Sequence, residues 1–408
     1  MRVFPLEKGV GGSEVCFRTL IIEGPVVVSR KGQARIERGH PWVFRSDVVK
    51  DGGASAGAVV RVAGVRGEPL GFAFWSERSE IRLRMLERGE TLAPGFLRER
   101  IQRALRWRDT VAAGAEAYRV VHGEGDGLPS LVVDRYGDYL AVQTLSQGTE
   151  RAKPEIVKAL VELLKPRGIV ERNDPRVRTL EGLEQTVSVL HGEVPEIVEV
   201  GEGDVRLGVD LRQGQKTGLF LDQRENHRAA RRYARGRVLD AFCYDGGFAL
   251  QVAREAGEVT AVDLSAEALE RVKANAARNG ISNVTTRDAN VFDLLHELDQ
   301  RGERFDTVIL DPPAFAKSRE AIPKAARGYK EINLRALRIL KPGGCLVTCS
   351  CSYHIHEDDF EAILGEAATD TRVTVTVVEK RRQARDHPVV LGVPETYYLK
   401  CFVLRRLE

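Results

Sequence analysis

No apolar run in the 408 residues approaches the roughly 20 needed to cross a bilayer as a helix. The N-terminal stretch also lacks a charged region followed by an unbroken apolar core, because Glu23-Gly24-Pro25 interrupts Leu20 to Val28. A secretory leader is therefore not expected. Cysteines are few: Cys16, Cys243, Cys345, Cys349, Cys351 and Cys401 form no regular framework, and four of them sit in apolar, strand-like runs. That excludes a disulfide scaffold and predicts free thiols in a reducing compartment, the cytoplasm. Internal repeats and low-complexity tracts are absent, which sets aside solenoid and linker architectures. Excess charge is small as well. A net charge of +3 does not by itself establish a nucleic-acid partner.

The chain does have the makings of a globular protein, being 43% hydrophobic and 30% charged. Its length calls for two or three domains. Basic residues cluster in three places: Arg30, Lys31, Arg35, Arg38 and Arg45; Arg224, Arg228, Arg231, Arg232, Arg235 and Arg237; and Lys380, Arg381, Arg382 and Arg385. Each cluster is read either as a phosphate-neutralising patch or as a solvated helix face or turn.

Residues 1–23 carry no clear pattern and are read as an N-terminal extension. From 24 to 95, short β runs such as Val26–Val28, Ala58–Val62, Leu70–Phe74 and Ile81–Met85, with turns at Asp51-Gly52-Gly53 and Arg66-Gly67, predict a small all-β module. Residues 96–204 read as a linking helix over 96–117 and a mixed α+β segment. That segment has hairpins around Arg135–Asp138 and Gly201–Asp204 and a helix over 153–165. From 205 to 408 strands alternate with helices: Val238–Phe242, Val259–Asp263, Val284–Asp288, Thr307–Asp311 and Cys345–Cys349. Such alternation predicts βαβ units and a doubly wound α/β domain with a mostly parallel sheet. Val373–Val378 and Tyr397–Leu404 close it as an antiparallel edge pair.

The first four strands of that domain end in or beside Asp240, Asp263, Asp288 and Asp311, spaced by 23, 25 and 23 residues, one βα unit each. Helix capping does not require an acid at the last residue of every strand. In a parallel sheet the four carboxylates meet in one crevice at the strand C-termini. Asp240 opens the turn Asp240-Ala-Phe-Cys-Tyr-Asp-Gly246-Gly247, whose glycines admit a close ligand. Asp263 suits two ribose hydroxyls and Asp288 an adenine amino group, which together describe an adenosine site. The G-x-G-x-x-G that cradles a pyrophosphate is missing. S-adenosylmethionine, which has no phosphate and carries a sulfonium and an amino group, fits better than a dinucleotide.

The fourth strand runs into Asp311-Pro312-Pro313-Ala314-Phe315, where two prolines stop the strand and stiffen the turn. Asp311 is then fixed beside the methyl group, and Phe315 is placed to stack on a flat base or to be an ordinary core residue. The fifth strand ends Cys349-Ser350-Cys351-Ser352, followed by His354 and His356. Carbon 5 of a pyrimidine is a poor nucleophile until a thiolate adds to carbon 6. Cys351, at a strand end facing the methyl donor, suits that task. The competing readings are a small buried residue, preferred for Cys349, and a metal site of Cys349, Cys351, His354 and His356.

Lys216–Arg224, Val238–Phe248, Asp311–Phe315 and Ser350–Ser352 together resemble the bacterial large-subunit ribosomal-RNA cytosine-C5 methyltransferases that carry an N-terminal PUA domain. Gly39-His40-Pro41-Trp42-Val43-Phe44 is similar to the PUA signature of that family, and Gly127–Asp134 to its central domain. The resemblance covers residues 26–408. It implies a Rossmann-like class I methyltransferase domain over 205–408, a PUA RNA-binding domain over 24–95, S-adenosylmethionine as methyl donor, 23S ribosomal RNA as partner and a homodimer. Cys351 is then the nucleophile and Asp311 orients or protonates the base. The donor pocket takes in Phe220, Gln223, Arg224, Asp240, Phe242, Tyr244, Gly246, Gly247, Asp263, Leu264, Asp288, Ala289 and Asp311. The base meets Pro312, Pro313, Phe315 and Lys317. Two other readings stay open: a guanine-N7 or exocyclic-amine RNA methyltransferase, and a non-catalytic RNA-binding protein.

Overall fold

The computed structural model describes residues 22–316 and 318–407. An N-terminal six-stranded sheet contains β1 (Ile22–Val28), β2 (Trp42–Phe44), β3 (Val48–Lys50), β4 (Val59–Gly64), β5 (Pro69–Trp75) and β6 (Ile81–Glu87), in the order β2-β6-β5-β4-β1-β3. Two expectations change here. β1 begins at Ile22, inside the stretch read as an extension; residues 1–21 lie outside the described part. The module is also not all β, since the basic run carries a helix, α1 (Arg30–Glu37). Ser29 starts it, its hydroxyl accepting from Gly32 N at 3.1 Å. Arg30, Lys31, Arg38 and Arg45 stay exposed.

The helix α2 (Phe96–Val111) leads to a five-stranded sheet of β7 (Ala117–His122), β8 (Leu131–Tyr136), β9 (Tyr139–Thr144), β10 (Gly168–Asn173) and β11 (Thr186–Gly192), in the order β11-β10-β9-β8-β7. α3 (Gln147–Leu164) crosses over between β9 and β10, and α4 (Val177–Leu180) precedes β11. α3 starts six residues earlier than the sequence suggests. Ser146 and Thr149 close a capping box ahead of it, and Pro154 is tolerated inside the helix. β12 (Val198–Glu202) and β13 (Val205–Val209) form the second expected hairpin.

The C-terminal domain opens with α5 (Arg224–Arg231) and then alternates: β14 (Arg237–Ala241), α6 (Gly247–Val252), β15 (Glu258–Asp263), α7 (Ala266–Arg278), β16 (Val284–Asp288), α8 (Val291–Gln300), β17 (Phe305–Leu310), α9 (Ile322–Ile339), β18 (Leu340–Ser350), α10 (Glu357–Thr371), β19 (Val375–Arg382) and β20 (Lys400–Arg406). The sheet order is β16-β15-β14-β17-β18-β20-β19. β16 through β18 are parallel, and β20 is antiparallel to both β18 and β19. Strand alternation divides the core between two faces. Leu239, Val308, Leu310 and Leu346 pack against α8, α9 and α10, while Val238, Ile309, Val347 and Cys349 pack against the α5–α7 side. Each such aliphatic side chain contributes about 1.5–3 kcal/mol on burial. The strand order reverses between β14 and β17, so the crevice expected of a doubly wound sheet opens at their C-terminal ends.

The candidate active site

A cavity of about 720 Å³ occupies that crevice. Its donor end is built by the turn from β14 to α6. Phe242 and Tyr244 take positive φ (+68° and +50°), as does Gly246 at +89°. For the two aromatic residues this conformation is strained, and their surroundings hold it. Asp263 is one restraint: its carboxylate accepts from Tyr244 N at 2.9 Å and from Ser265 N at 2.9 Å. Each oxygen keeps a lone pair for a ligand hydroxyl. Beside it Leu264 is 65% exposed, an apolar surface for a flat ring. Gly247 faces the His227 ring so closely that a Cβ would stand 2.4 Å from it.

Acids concentrate behind this wall. Asp240 is fully buried, and neither of its oxygens has a hydrogen-bond partner among the described residues. Burial, reinforced by Asp311, pushes it up to about 7. Asp311 accepts from Gln223 Nε2 at 2.9 Å, and burial together with Asp222 brings it to about 6 against the opposing pull of His227. His227 Nδ1 lies 2.8 Å from Glu202. Burial disfavours its charge, but Glu202 outweighs that and holds it above the usual range. Acids on and just behind the crevice wall suit a cation, and a Gly wall, a ribose acceptor and an apolar shelf suit a nucleoside. The side chains present thus fit S-adenosylmethionine.

The other end is formed by Pro312, Pro313, Phe315 and Cys351. The Phe315 ring packs at a tilt against Phe292 and Tyr329, with centroids at 5.8 and 4.6 Å. Ser352 ties the two loops together. Its hydroxyl accepts from Ala316 N at 3.0 Å and lies 2.9 Å from Tyr329 Oη. The Cys351 thiol is half-buried, 3.8 Å from the Pro312 carbonyl. Burial and the neighbouring Asp311 push it up to about 11.

Of the residues singled out from the sequence, Phe220, Gln223, Phe242, Tyr244, Gly247, Asp263, Leu264, Asp311, Pro312, Pro313, Phe315 and Cys351 line this one cavity. Five do not. Arg224 points away into a buried ion pair with Asp386 at 3.1 Å. Asp240 lies within β14, behind the wall, and Gly246 shapes the turn through its backbone. Asp288 is exposed at the end of the edge strand β16, and Ala289 beside it is also off the wall. Asn290, Val291 and Phe292 take that stretch of the wall instead. Lys317 lies outside the described residues. Cys349 is buried in register with Cys401, and His356 caps α10. Among the described residues no three metal-binding side chains gather.

Lys216, Asp222, His227 and Tyr398, not among the site residues expected from the sequence, also stand on the wall. Asp222 accepts from Lys216 Nζ at 2.6 Å and from Tyr398 Oη at 2.8 Å. Burial opposes its charge, but Lys216 prevails and holds the carboxyl well below its usual range. The stretch Lys216–Arg224, ahead of α5, carries the signal for Lys216 and Asp222. No local pattern marked Tyr398.

An open parallel sheet whose switch crevice joins a nucleoside acceptor, buried acids and a Pro-stiffened loop defines the S-adenosylmethionine-dependent methyltransferases of class I. Residues 119–404 match the family model of the S-adenosylmethionine-dependent methyltransferases, and residues 26–88 match that of a PUA-like domain. Ribosomal RNA large subunit methyltransferase I of Shewanella frigidimarina is 39% identical over 381 residues, covering 91% of this chain and 96% of the relative. The protein of that name from Photobacterium profundum is 41% identical over 384 residues, covering 91% and 97%. A solved S-adenosylmethionine-dependent methyltransferase chain from Streptococcus mutans shares the fold, with a TM-score of 0.79 at 21% identity over 94% of this chain and all of its own. A solved methyltransferase complexed with SAH does so at 0.81, with the same identity and coverage. The chain belongs to the S-adenosylmethionine-dependent methyltransferases, in the family of ribosomal RNA large subunit methyltransferase I. S-adenosylmethionine is its methyl donor.

Proposed function

We propose that the protein methylates carbon 5 of a cytosine in 23S ribosomal RNA through a covalent bond between that base and Cys351. The observation that carries this reading is the Cys351 thiol on the wall of the cavity that also holds Asp263, Gly247 and Asp311. The name of the relatives and the PUA-like domain support ribosomal RNA as the substrate. Bound S-adenosylmethionine supplies an electrophilic methyl carbon and leaves as S-adenosylhomocysteine.

The chain supplies the rest. A flipped cytosine enters between the Pro312-Pro313 turn and Cys351. Asp311, raised to about 6, is partly protonated near neutrality and donates to the ring nitrogen edge. The Cys351 thiolate adds to carbon 6, and the electron pair moves to carbon 5, which takes the methyl group. A base then removes the carbon 5 proton, and the carbon–sulfur bond breaks to restore the ring and the thiolate.

The test is reaction of the full chain with 23S RNA lacking the modification, followed by mass spectrometry of the nucleosides. The wild type yields 5-methylcytidine, and Cys351→Ala lowers its formation by about three orders of magnitude or more. A methyl group on an exocyclic nitrogen or on guanine N7, or full activity of the variant, overturns the reading. A chain that binds RNA but shows no donor binding by calorimetry would be a non-catalytic RNA-binding protein.

A further inference from the structure

Lys400 stands on β20 in register with Ser350 of β18 and is 1% exposed. An ammonium in that position loses most of its hydration and needs partners. Its Nζ donates to the Ser352 carbonyl at 2.7 Å and to the Tyr398 carbonyl at 3.0 Å. Ser352 directly follows Cys351, and Tyr398 lines the same cavity. The carboxylates that act on Lys400, Asp359 and Glu357 of α10, do so through space, without an ion pair to it among the described residues.

We propose that Lys400 is a positioning residue for methyl transfer, which fixes the Cys351 turn through the two carbonyls and offsets the charge of the Cys351 thiolate. The inference rests on Cys351 being the nucleophile.

The electrostatics of the site call for such a cation. Burial, Asp311 and Asp222 all disfavour the thiolate, while Lys216 and Lys400 favour it. Lys216 is already matched by Asp222 at 2.6 Å, so its charge is largely spent. Burial brings Lys400 down to about 8, against the opposing pull of Cys351, Asp359 and Glu357. It is therefore charged at neutral pH and loses that charge above about 8. When Cys351 ionises, its proton passes to water in the cavity; Lys400 keeps its protons and forms no covalent bond.

The experiment uses the full chain and the variants Lys400→Met and Lys400→Arg. The rate of iodoacetamide alkylation at Cys351 is followed by peptide mass spectrometry from pH 7 to 10, with kcat and KM on RNA measured at pH 7.5. Lys400→Met is expected to slow alkylation at pH 7.5 by about 10-fold, the effect of one unit in thiol pKa. It lowers kcat about as much and leaves KM within about twofold. The gap to wild type closes toward pH 9.5, where the wild-type lysine has discharged. Lys400→Arg keeps the faster rate and holds it above pH 8, because a guanidinium stays charged there. Equal alkylation by wild type and Lys400→Met at pH 7.5 overturns the proposal. Should Lys400→Met fail to fold, identical curves for wild type and Lys400→Arg above pH 8 overturn it instead. Full methylation by Cys351→Ala would separately remove the nucleophile reading, while the alkylation rates still report what Lys400 does to the thiol.

Discussion

A carboxyl as deeply buried as that of Asp240 keeps its proton where an exposed one loses it. Its folded value near 7 stands above the ordinary value of about 3.9. Between those two values the folded chain binds a proton that the unfolded chain does not, so stability falls as pH rises through the window, and the loss is complete above 7. Asp240→Asn, neutral throughout, is therefore expected to raise the urea unfolding midpoint of the ligand-free protein at pH 8 and to leave it unchanged near pH 4. A variant equally stable to wild type at both pH values would show that the fold does not raise the Asp240 carboxyl. The regular spacing of strand-final acids made Asp263 and Asp311 legible in the sequence, because β15 and β17 flank β14 at the switch point. The same pattern overreached at Asp240, one residue short of its strand's end, and at Asp288, on an edge strand away from the switch. Lys216, Asp222 and Tyr398 converge from segments 6 and 176 residues apart, through contacts that periodicity does not encode.

At the scale of elements, the turn from β14 to α6 is the most constrained piece of the site. Positive-φ positions at the alternate residues 242, 244 and 246 bend the chain back so that α6 starts against α5. Gly247 is required there by contact and not by φ, since only a missing Cβ clears the His227 ring. Gly247→Ala should cost about 1–3 kcal/mol from overpacking and displace His227 from Glu202. The expected readouts are a lower thermal midpoint and weaker donor binding by calorimetry; unchanged values for both would mean that the wall tolerates a methyl group. Glycine-rich composition signalled a close approach in this turn, whereas the ring that requires it comes from α5. The helix α1 was hidden for another reason. Half of its eight residues are charged and only two positions are buried, too few for an apolar stripe to register.

Across the whole molecule, hydrogen bonds to the buried Asp386 tie the linking helix and the central sheet to the methyltransferase domain. Asp386 pairs with Arg224 at 3.1 Å and accepts from Arg119 N at 2.8 Å, and its carbonyl accepts from Arg108 at 2.8 Å. Members of two of the basic clusters seen in the sequence are matched by acids at the surface: Arg231 pairs with Asp204 and Glu255, Arg237 with Glu258 and Glu303, and Lys380 with Glu361. By contrast, Arg30 and Arg38 at α1 are exposed and have no ion-pair partner among the described residues. Burial opposes the charge of Asp386, but His387 and Arg224 prevail and hold it well below the usual carboxylate range. Its contribution is present above the unfolded value near 3.9 and is lost as pH falls toward the folded one. Asp386→Asn should destabilise the protein by about 3–5 kcal/mol at neutral pH by leaving Arg224 unmatched. A thermal midpoint unchanged at pH 7 would contradict this.

The most direct test of the chemistry uses target RNA carrying 5-fluorocytosine. Fluorine at carbon 5 cannot leave as a proton does, so an enzyme that works through a carbon 6 adduct stalls after methyl transfer with the base still bonded to its thiol. The expected result is a donor-dependent protein–RNA adduct, resistant to denaturant, that maps to the Cys351 peptide and is absent from Cys351→Ala. Methylation of ordinary RNA by the same preparation without any such adduct would contradict it.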